Sequence, residues 1–236
     1  MKEVQRIMVA LDYPNAESAE RLLQQLEGIP CYMKVGMELF YAAGPQFVLR
    51  LKERGYKVFL DLKLHDIPNT VKGGSASITR LGVDMFNVHA GGGLAMMQAA
   101  REGMEAAASG ASMPILIGVT QLTSTSQAVL NDEIGIAGPI EDAVLRYAGL
   151  AREAGLDGVV ASPLEVRGIK ARCGSSFVTV TPGIRPAGAA VGDQSRVMTP
   201  SEALAQGTDY MVIGRPITAA PDPREALEQI VASFTV

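Results

Sequence analysis

The densest group of charges in an apolar context lies at residues 60–70, which read LDLKLHDIPNT. Side chains two apart in a β-strand share a face, so Asp61 and Lys63 are predicted to point to the inner side of a strand and the neighbouring leucines to the outer side. Lys34 interrupts another apolar run and is expected to reach Asp61 from the adjacent strand. Opposite charges at short range favour each ionised form, so we expect Lys63 to remain an ammonium ion and a possible proton donor.

With Asp66, these residues form an alternating array of Lys34, Asp61, Lys63 and Asp66. The alternative is a buried ion-pair network without chemistry. Removing four charges from water is costly, and such networks contribute little to stability. The position and the cost of the array therefore favour a catalytic role.

Short β-branched runs alternate with helical patterns along the whole chain, which is typical of repeated βα units. A doubly wound open sheet gives the same alternation, but the count of eight βα units favours a barrel. We therefore predict an α/β fold in which residues 1–236 form a single-domain (β/α)8 barrel, or TIM barrel. Four glycines are predicted to end helices in the left-handed conformation: Gly55, Gly82, Gly155 and Gly207. The predicted strands are 6–12, 32–37, 57–64, 85–89, 115–120, 158–161, 177–181 and 210–214. The predicted helices are 16–26, 45–54, 69–81, 94–108, 139–154, 164–172, 200–206 and 223–234.

The composition of the 236 residues, 47% hydrophobic and 19% charged, is that of a globular protein with a sizeable core. A formal net charge of −4 provides no basic field for nucleic acid, so no nucleic-acid partner is expected. No apolar stretch reaches the roughly 20 residues of a membrane span, so a cytoplasmic protein without membrane contact is expected.

The motif Asp61-x-Lys63-x-x-Asp66-Ile67-Pro68-Asn69-Thr70, with Lys34 upstream, resembles the signature of the orotidine 5'-phosphate decarboxylase family in its compact bacterial form. The resemblance spans nearly the whole chain, because matching segments follow four other predicted strands: Leu11-Asp12, Leu122-Thr123-Ser124, Pro182-Gly183-Ile184-Arg185 and Gly214-Arg215-Pro216.

The resemblance implies a cofactor-free, homodimeric enzyme that converts orotidine 5'-phosphate to UMP, the last step of UMP biosynthesis. Lys63 would protonate the ring carbon left anionic when carbon dioxide departs. Asp61 would lie beside the scissile carboxylate, and Lys34 would bridge Asp61 and the ribose. Asp66, Ile67 and Thr70 would reach the neighbouring subunit's site.

The resemblance also implies the remaining substrate contacts. Asp12 would bond a ribose hydroxyl, and Thr123 and Ser124 would belong to the loop that covers the pyrimidine. The phosphate would be held by Arg185, Gln194, Gly214 and Arg215. Phosphate sites in barrels are commonly built by the loops after strands seven and eight, and arginine supplies the planar fork of donors that a phosphate needs.

The segment 185–194 has small residues and two interior glycines, Gly188 and Gly192, which suit a loop that folds over a ligand. An ordinary surface loop is the alternative, and position favours the phosphate-gripping lid. The isolated His65 and His89 make a poor metal site, so we predict no metal and a structural role for both, with support at the barrel mouth left open for His89.

Two alternatives to this function remain. A magnesium-dependent ketogulonate-phosphate decarboxylase or hexulose-phosphate synthase shares the barrel and the Asp-x-Lys-x-x-Asp array but lacks the His-Asp-Ile-Pro-Asn-Thr continuation. A non-catalytic nucleotide-binding barrel would keep only the phosphate site, which the intact charge array argues against.

Overall fold

Eight short, apolar, parallel β-strands form a closed barrel in the computed structural model, which describes residues 3–108, 113–186 and 196–235. Each strand pairs with the next in the chain, and the last pairs with the first through Val9 and Ile213. This closure confirms the predicted (β/α)8 barrel and excludes the open-sheet alternative. The strands are β1 (Ile7–Ala10), β2 (Tyr32–Gly36), β3 (Lys57–Leu64), β4 (Met85–His89), β5 (Ile115–Val119), β6 (Gly158–Val160), β7 (Val178–Thr181) and β8 (Tyr210–Ile213).

The helices surround the barrel, and several begin at a proline or behind a capping side chain that favours a first turn. Asn15 and Asp222 cap two of them by accepting backbone N–H bonds, and Thr199 forms a capping box with Glu202. The helices are α1 (Ala16–Gln25), α2 (Met37–Ala43), α3 (Pro45–Glu53), α4 (Pro68–Arg80), α5 (Gly93–Ala107), α6 (Ile140–Glu153), α7 (Val166–Cys173), α8 (Pro200–Ala205), α9 (Arg215–Thr218) and α10 (Pro223–Ala232).

Helices α2 and α9 and a π-helical turn at Val129–Glu133 were not predicted, because each is short and continues directly from a strand or loop. The four helix-ending glycines have positive φ, as predicted. Within the described part of the chain, no helix combines the length and apolarity needed to cross a bilayer.

The apolar core has two parts. The larger lies between the strands and the helices, and the smaller fills the barrel interior. Met8, Tyr32, Phe59, Met85 and Ile117 are among the interior side chains, and all are nearly inaccessible to solvent. Because this plug fills the barrel, a ligand approaching along the barrel axis is confined to the mouth beyond the carboxyl ends of the strands.

The amino-terminal end of the barrel carries a repeated Gly-x-Asp motif at 82–84, 155–157 and 207–209. In each copy the carboxylate accepts a hydrogen bond from the backbone N–H of the preceding strand and pairs with a cation of the helix before that strand. The three sets of Asp, amide and cation are Asp84 with Val58 and Lys52, Asp157 with Leu116 and Arg101, and Asp209 with Thr179 and Lys170. We call these sets the amino-end clamps.

Candidate active site

A cavity of about 490 Å³ opens at the carboxyl ends of the strands, within the size range of small-molecule sites. It brings together predicted residues from six different strand ends or their loops. Those lining it are Asp12, Lys34, Asp61, Lys63, Thr123, Ser124, Arg185, Gly214 and Arg215. Gln121 also lines it and was not predicted.

Asp61 is at the centre of the charge array. Its Oδ1 accepts hydrogen bonds from Lys63 Nζ at 2.8 Å and from Asn87 Nδ2 at 2.7 Å, and its Oδ2 lies 3.6 Å from Lys34 Nζ. Burial opposes ionisation of Asp61, but the charges of Lys34 and Lys63 and the hydrogen bonds from Lys63 and Asn87 outweigh it, so its pKa is lowered. The site therefore holds a partly buried, ionised carboxylate between two lysines.

Lys34 joins this array to the ribose-binding residue that the resemblance implies. Its Nζ donates to Asp12 Oδ1 at 2.9 Å, and Lys34 is 7% exposed. Gly36 lies beside both groups, and a Cβ there would come within 3.2 Å of Asp12 Oδ1 and of Lys34 Nζ. Gly36 was not predicted as a site residue, because only the closed barrel shows that the space beside it is occupied.

The backbone that carries Lys63 is bulged. Leu60 pairs with Phe86 and Leu64 with Val88, so β3 has two extra residues between these points. Lys63 has φ 55°, and among the described residues it alone is a non-glycine with positive φ. The left-handed conformation costs roughly 1–2 kcal/mol for such a residue, so the surrounding bonds must hold it there.

Asn87 supplies one of those bonds and was missed from sequence. Its Oδ1 accepts from the Lys63 backbone N–H at 2.8 Å. The only signal was a polar amide inside the apolar run MFNVH. The inward alternation of Asp61 and Lys63 was predicted, but the bulge was not.

Asp66, Ile67 and Thr70 lie outside the cavity of their own chain. Asp66 and Ile67 lie between β3 and α4, Thr70 lies in the first turn of α4, and all three are exposed, Ile67 by 67%. Asp66 Oδ1 accepts from the Ile67 backbone N–H at 2.6 Å. Their predicted function at a partner's site stays a prediction.

Two arginines face the cavity from the loops after β7 and β8. Arg185 follows β7, and Arg215 begins α9 directly after Gly214. The backbone N–H of Arg185 donates to the Met198 carbonyl at 2.9 Å, beside a parallel bridge between Ile184 and Met198. The predicted lid residues Gly188 and Gly192 and the predicted phosphate ligand Gln194 lie outside the described residues.

A second buried ion pair lies beside the cavity. Arg196 pairs with Glu165, whose side chain is 3% exposed, and donates to the Leu122 carbonyl at 2.9 Å. Burial raises the pKa of Glu165 despite the charge of Arg196. The pair links the loops after β5, β6 and β7, and it was not predicted.

The two histidines stack on each other at the mouth, with ring centroids 5.3 Å apart. Burial lowers the pKa of His89, and the electrostatic influence of the neighbouring His65 and Lys63 lowers it further. In the described part of the chain, His, Cys, Asp and Glu side chains form no group of three or more that could hold a metal ion.

Comparison of the whole chain with known proteins identifies its family. The protein-family model described as "Orotidine 5'-phosphate decarboxylase / HUMPS family" matches residues 5–230 of the chain. The chain belongs to this family. The family resemblance inferred from the Asp61 to Thr70 motif is thereby confirmed.

Individual relatives agree with this assignment. The chain is 56% identical over 231 residues to a Moorella thermoacetica protein named orotidine 5'-phosphate decarboxylase, covering 97% of this chain and 92% of that one. A Bacillus anthracis protein of the same name is 54% identical over 227 residues, covering 96% and 95% of the two chains. The crystal structure of orotidine 5'-phosphate decarboxylase from Lactobacillus acidophilus superposes with a TM-score of 0.88 at 43% identity, covering 98% of this chain and all of that one.

Proposed function

We propose that the protein decarboxylates orotidine 5'-phosphate to UMP without a cofactor, with Lys63 as the proton donor. The observation that carries the proposal is the ionised Asp61 held between Lys34 and Lys63 inside the cavity. The names of relatives at 54–56% identity support the same reaction.

The chemistry explains why such an array is useful. Loss of carbon dioxide from an sp2 ring carbon leaves a localised carbanion with little resonance relief, so the site must supply positive charge and a proton. The Lys63 ammonium provides both at one atom. A substrate carboxylate placed beside Asp61 would be repelled by it, and this repulsion would fall as carbon dioxide leaves.

The rest of the cavity would bind the nucleotide. Asp12 and Lys34 would hold the ribose, and Thr123 and Ser124 would cover the pyrimidine. Arg185, Gln194, Gly214 and Arg215 would bind the phosphate at the side of the β7 and β8 loops. Binding energy from this distant group would help to hold the reacting carbon against the charge array.

The decisive experiment follows the ultraviolet absorbance of orotidine 5'-phosphate with purified protein in excess chelator. Fast loss of the orotidylate signal supports the proposal. No loss in chelator, followed by turnover of a ketogulonate or hexulose phosphate in magnesium, would assign the chain to the sugar-phosphate branch. Nucleotide binding without any turnover would indicate a non-catalytic barrel.

The proposal includes a cytoplasmic homodimer in which Asp66, Ile67 and Thr70 complete the neighbouring site. Their exposure at the cavity end of the barrel supports it, because a side chain in a partner's site must leave its own subunit. The test is complementation between two inactive variants, Lys63→Ala and Asp66→Asn.

In a hybrid dimer, the Asp66→Asn chain keeps its own Lys63 and would receive Asp66 from the Lys63→Ala chain. One intact site per hybrid predicts recovery of about one quarter of wild-type activity after random mixing. If Asp66 served its own subunit, mixing would restore nothing.

A further inference from the structure

Strand β3 carries two more residues than β4 between two points of regular pairing. Because Leu60 pairs with Phe86 and Leu64 with Val88, three residues of β3 lie opposite Asn87 alone. Backbone groups in this bulge cannot all use the regular ladder with β4 and need other partners.

The side chain of Asn87 is such a partner, and it also bonds a charged group. It accepts from the Lys63 backbone N–H at 2.8 Å and donates to Asp61 Oδ1 at 2.7 Å. Asn87 is 1% exposed and lies in the middle of β4. A primary amide has an acceptor and a donor on one planar group, so it can hold both β3 groups at once.

These contacts fix two features of the charge array. The bond to the Lys63 N–H holds the backbone at its positive φ, which directs the ammonium toward the cavity. The bond to Oδ1 fixes the rotation of the Asp61 carboxylate, so that Oδ2 faces Lys34. Neither feature follows from the side chains of Asp61 and Lys63 alone.

We propose that Asn87 is a positioning residue for the decarboxylation, acting through Asp61 and Lys63 rather than on the substrate. This inference rests on the proposed function. It predicts that Asn87 sets the rate of the chemical step and contributes little to nucleotide binding.

The first test replaces Asn87 by alanine, which removes both bonds. We expect kcat for orotidine 5'-phosphate to fall about 100-fold, the order expected when reacting groups are misplaced by about 1 Å. The affinity for UMP should change far less. Thr179→Val is the matched control, because it removes a buried side-chain bond, 3.1 Å to Asp209, at the opposite end of the barrel.

The second test replaces Asn87 by aspartate, which preserves the packing even if the alanine variant does not fold. A protonated carboxyl has both an acceptor and a donor and can replace the amide, whereas an ionised one would stand 2.7 Å from Asp61 Oδ1. The rate deficit of N87D relative to wild type should therefore shrink as the pH is lowered. If Asn87 had only a structural function, the ratio of the N87D rate to the wild-type rate would stay constant with pH.

The charged groups that would act on an N87D carboxyl are few. Asp61 and Lys63 face it from β3, Lys34 lies beyond Asp61, and His89 follows two residues later on β4. On the other side, β5 presents the apolar Ile117 opposite Asn87. The acid recovery is thus expected from sharing a proton with Asp61.

The outcomes separate this inference from the proposed function. The inference is supported if the wild type is active, the kcat of N87A is low, and the rate of N87D approaches that of wild type as the pH is lowered. Active wild type with both variants within about twofold of its kcat and an unchanged pH profile overturns it and leaves the proposed function standing. If the wild type is inactive, the proposed function is overturned, and the inference about Asn87 is overturned with it.

Discussion

The two ends of the barrel use partly buried carboxylates in different ways. At the amino end, Asp84, Asp157 and Asp209 each bond a backbone N–H and one cation from a helix. At the carboxyl end, Asp61 bonds only side chains among the described residues, namely two lysines and an amide, and it faces a cavity.

We infer that this difference separates charges that support the fold from charges that, under the proposed function, take part in the chemistry. The amino-end clamps recur in three βα units and join the starts of β3 and β4, of β5 and β6, and of β7 and β8. The Asp61 array lies on a bulge with a left-handed lysine, which is a cost that strand pairing does not require. Four predictions test or refine this comparison.

The largest effect is expected from Asp61→Asn at the carboxyl end. The neutral amide removes the negative charge that lies between Lys34 and Lys63. We expect kcat/KM to fall about 1,000-fold, the order found when one electrostatic group is removed from a reaction site. Steady-state kinetics measure this, with UMP binding as a check of folding. A loss below about tenfold would remove Asp61 from the chemistry.

The next effect concerns stability and the pair beside the cavity. Arg196→Met leaves Glu165 buried without its cation, which should cost about 3–5 kcal/mol of unfolding free energy. Urea denaturation measures the loss, and the exposed Arg146→Met is the control. Adding Glu165→Gln to Arg196→Met should restore part of the lost unfolding free energy. If the double variant were no more stable than the single one, the loss would have another cause.

A smaller effect is expected at an amino-end clamp. Asp209→Asn weakens the bonds to the Thr179 N–H and to Lys170, and because Asp209 is partly exposed we expect a loss of about 1–2 kcal/mol. Turnover should stay at the wild-type level. The exposed Asp132→Asn serves as the control in the same denaturation series. A large loss of activity in Asp209→Asn would contradict the division between the two ends.

The smallest effect is the pH dependence due to His89. Its pKa is lowered from 6.5, so below that value the unfolded state binds a proton that the folded state resists. Stability should therefore fall as the pH drops from about 7.5 to about 5.5, and His89→Gln should reduce this fall. Asp61 changes the stability only below pH 3.8, its ordinary pKa, which lies outside this range. Glu165 is present in both wild type and His89→Gln, so its titration does not affect the comparison. Equal slopes for wild type and His89→Gln would contradict the prediction.

The strand pattern was sufficient to predict the barrel and the inward direction of Asp61, because alternation and burial are local properties of sequence. Lys63 also lines the cavity, as predicted, but it does so from a left-handed backbone in a bulge that alternation does not predict. Asn87 was missed because its importance depends on a register shift between two strands. The clamp aspartates were missed for a related reason: Asp209 follows a predicted helix-ending glycine, but the amide it bonds belongs to another strand. Arg196 and Glu165 lie 31 residues apart, and only the folded loops bring them together.

The central claim is that Lys63 is the proton donor. It is tested most directly by comparing Lys63→Ala with Lys170→Ala, two ion-paired lysines at opposite ends of the barrel, in the orotidylate absorbance assay with chelator. We predict that Lys63→Ala loses turnover while still binding UMP, and that Lys170→Ala keeps turnover but unfolds more easily. Near-normal turnover by Lys63→Ala would contradict the account.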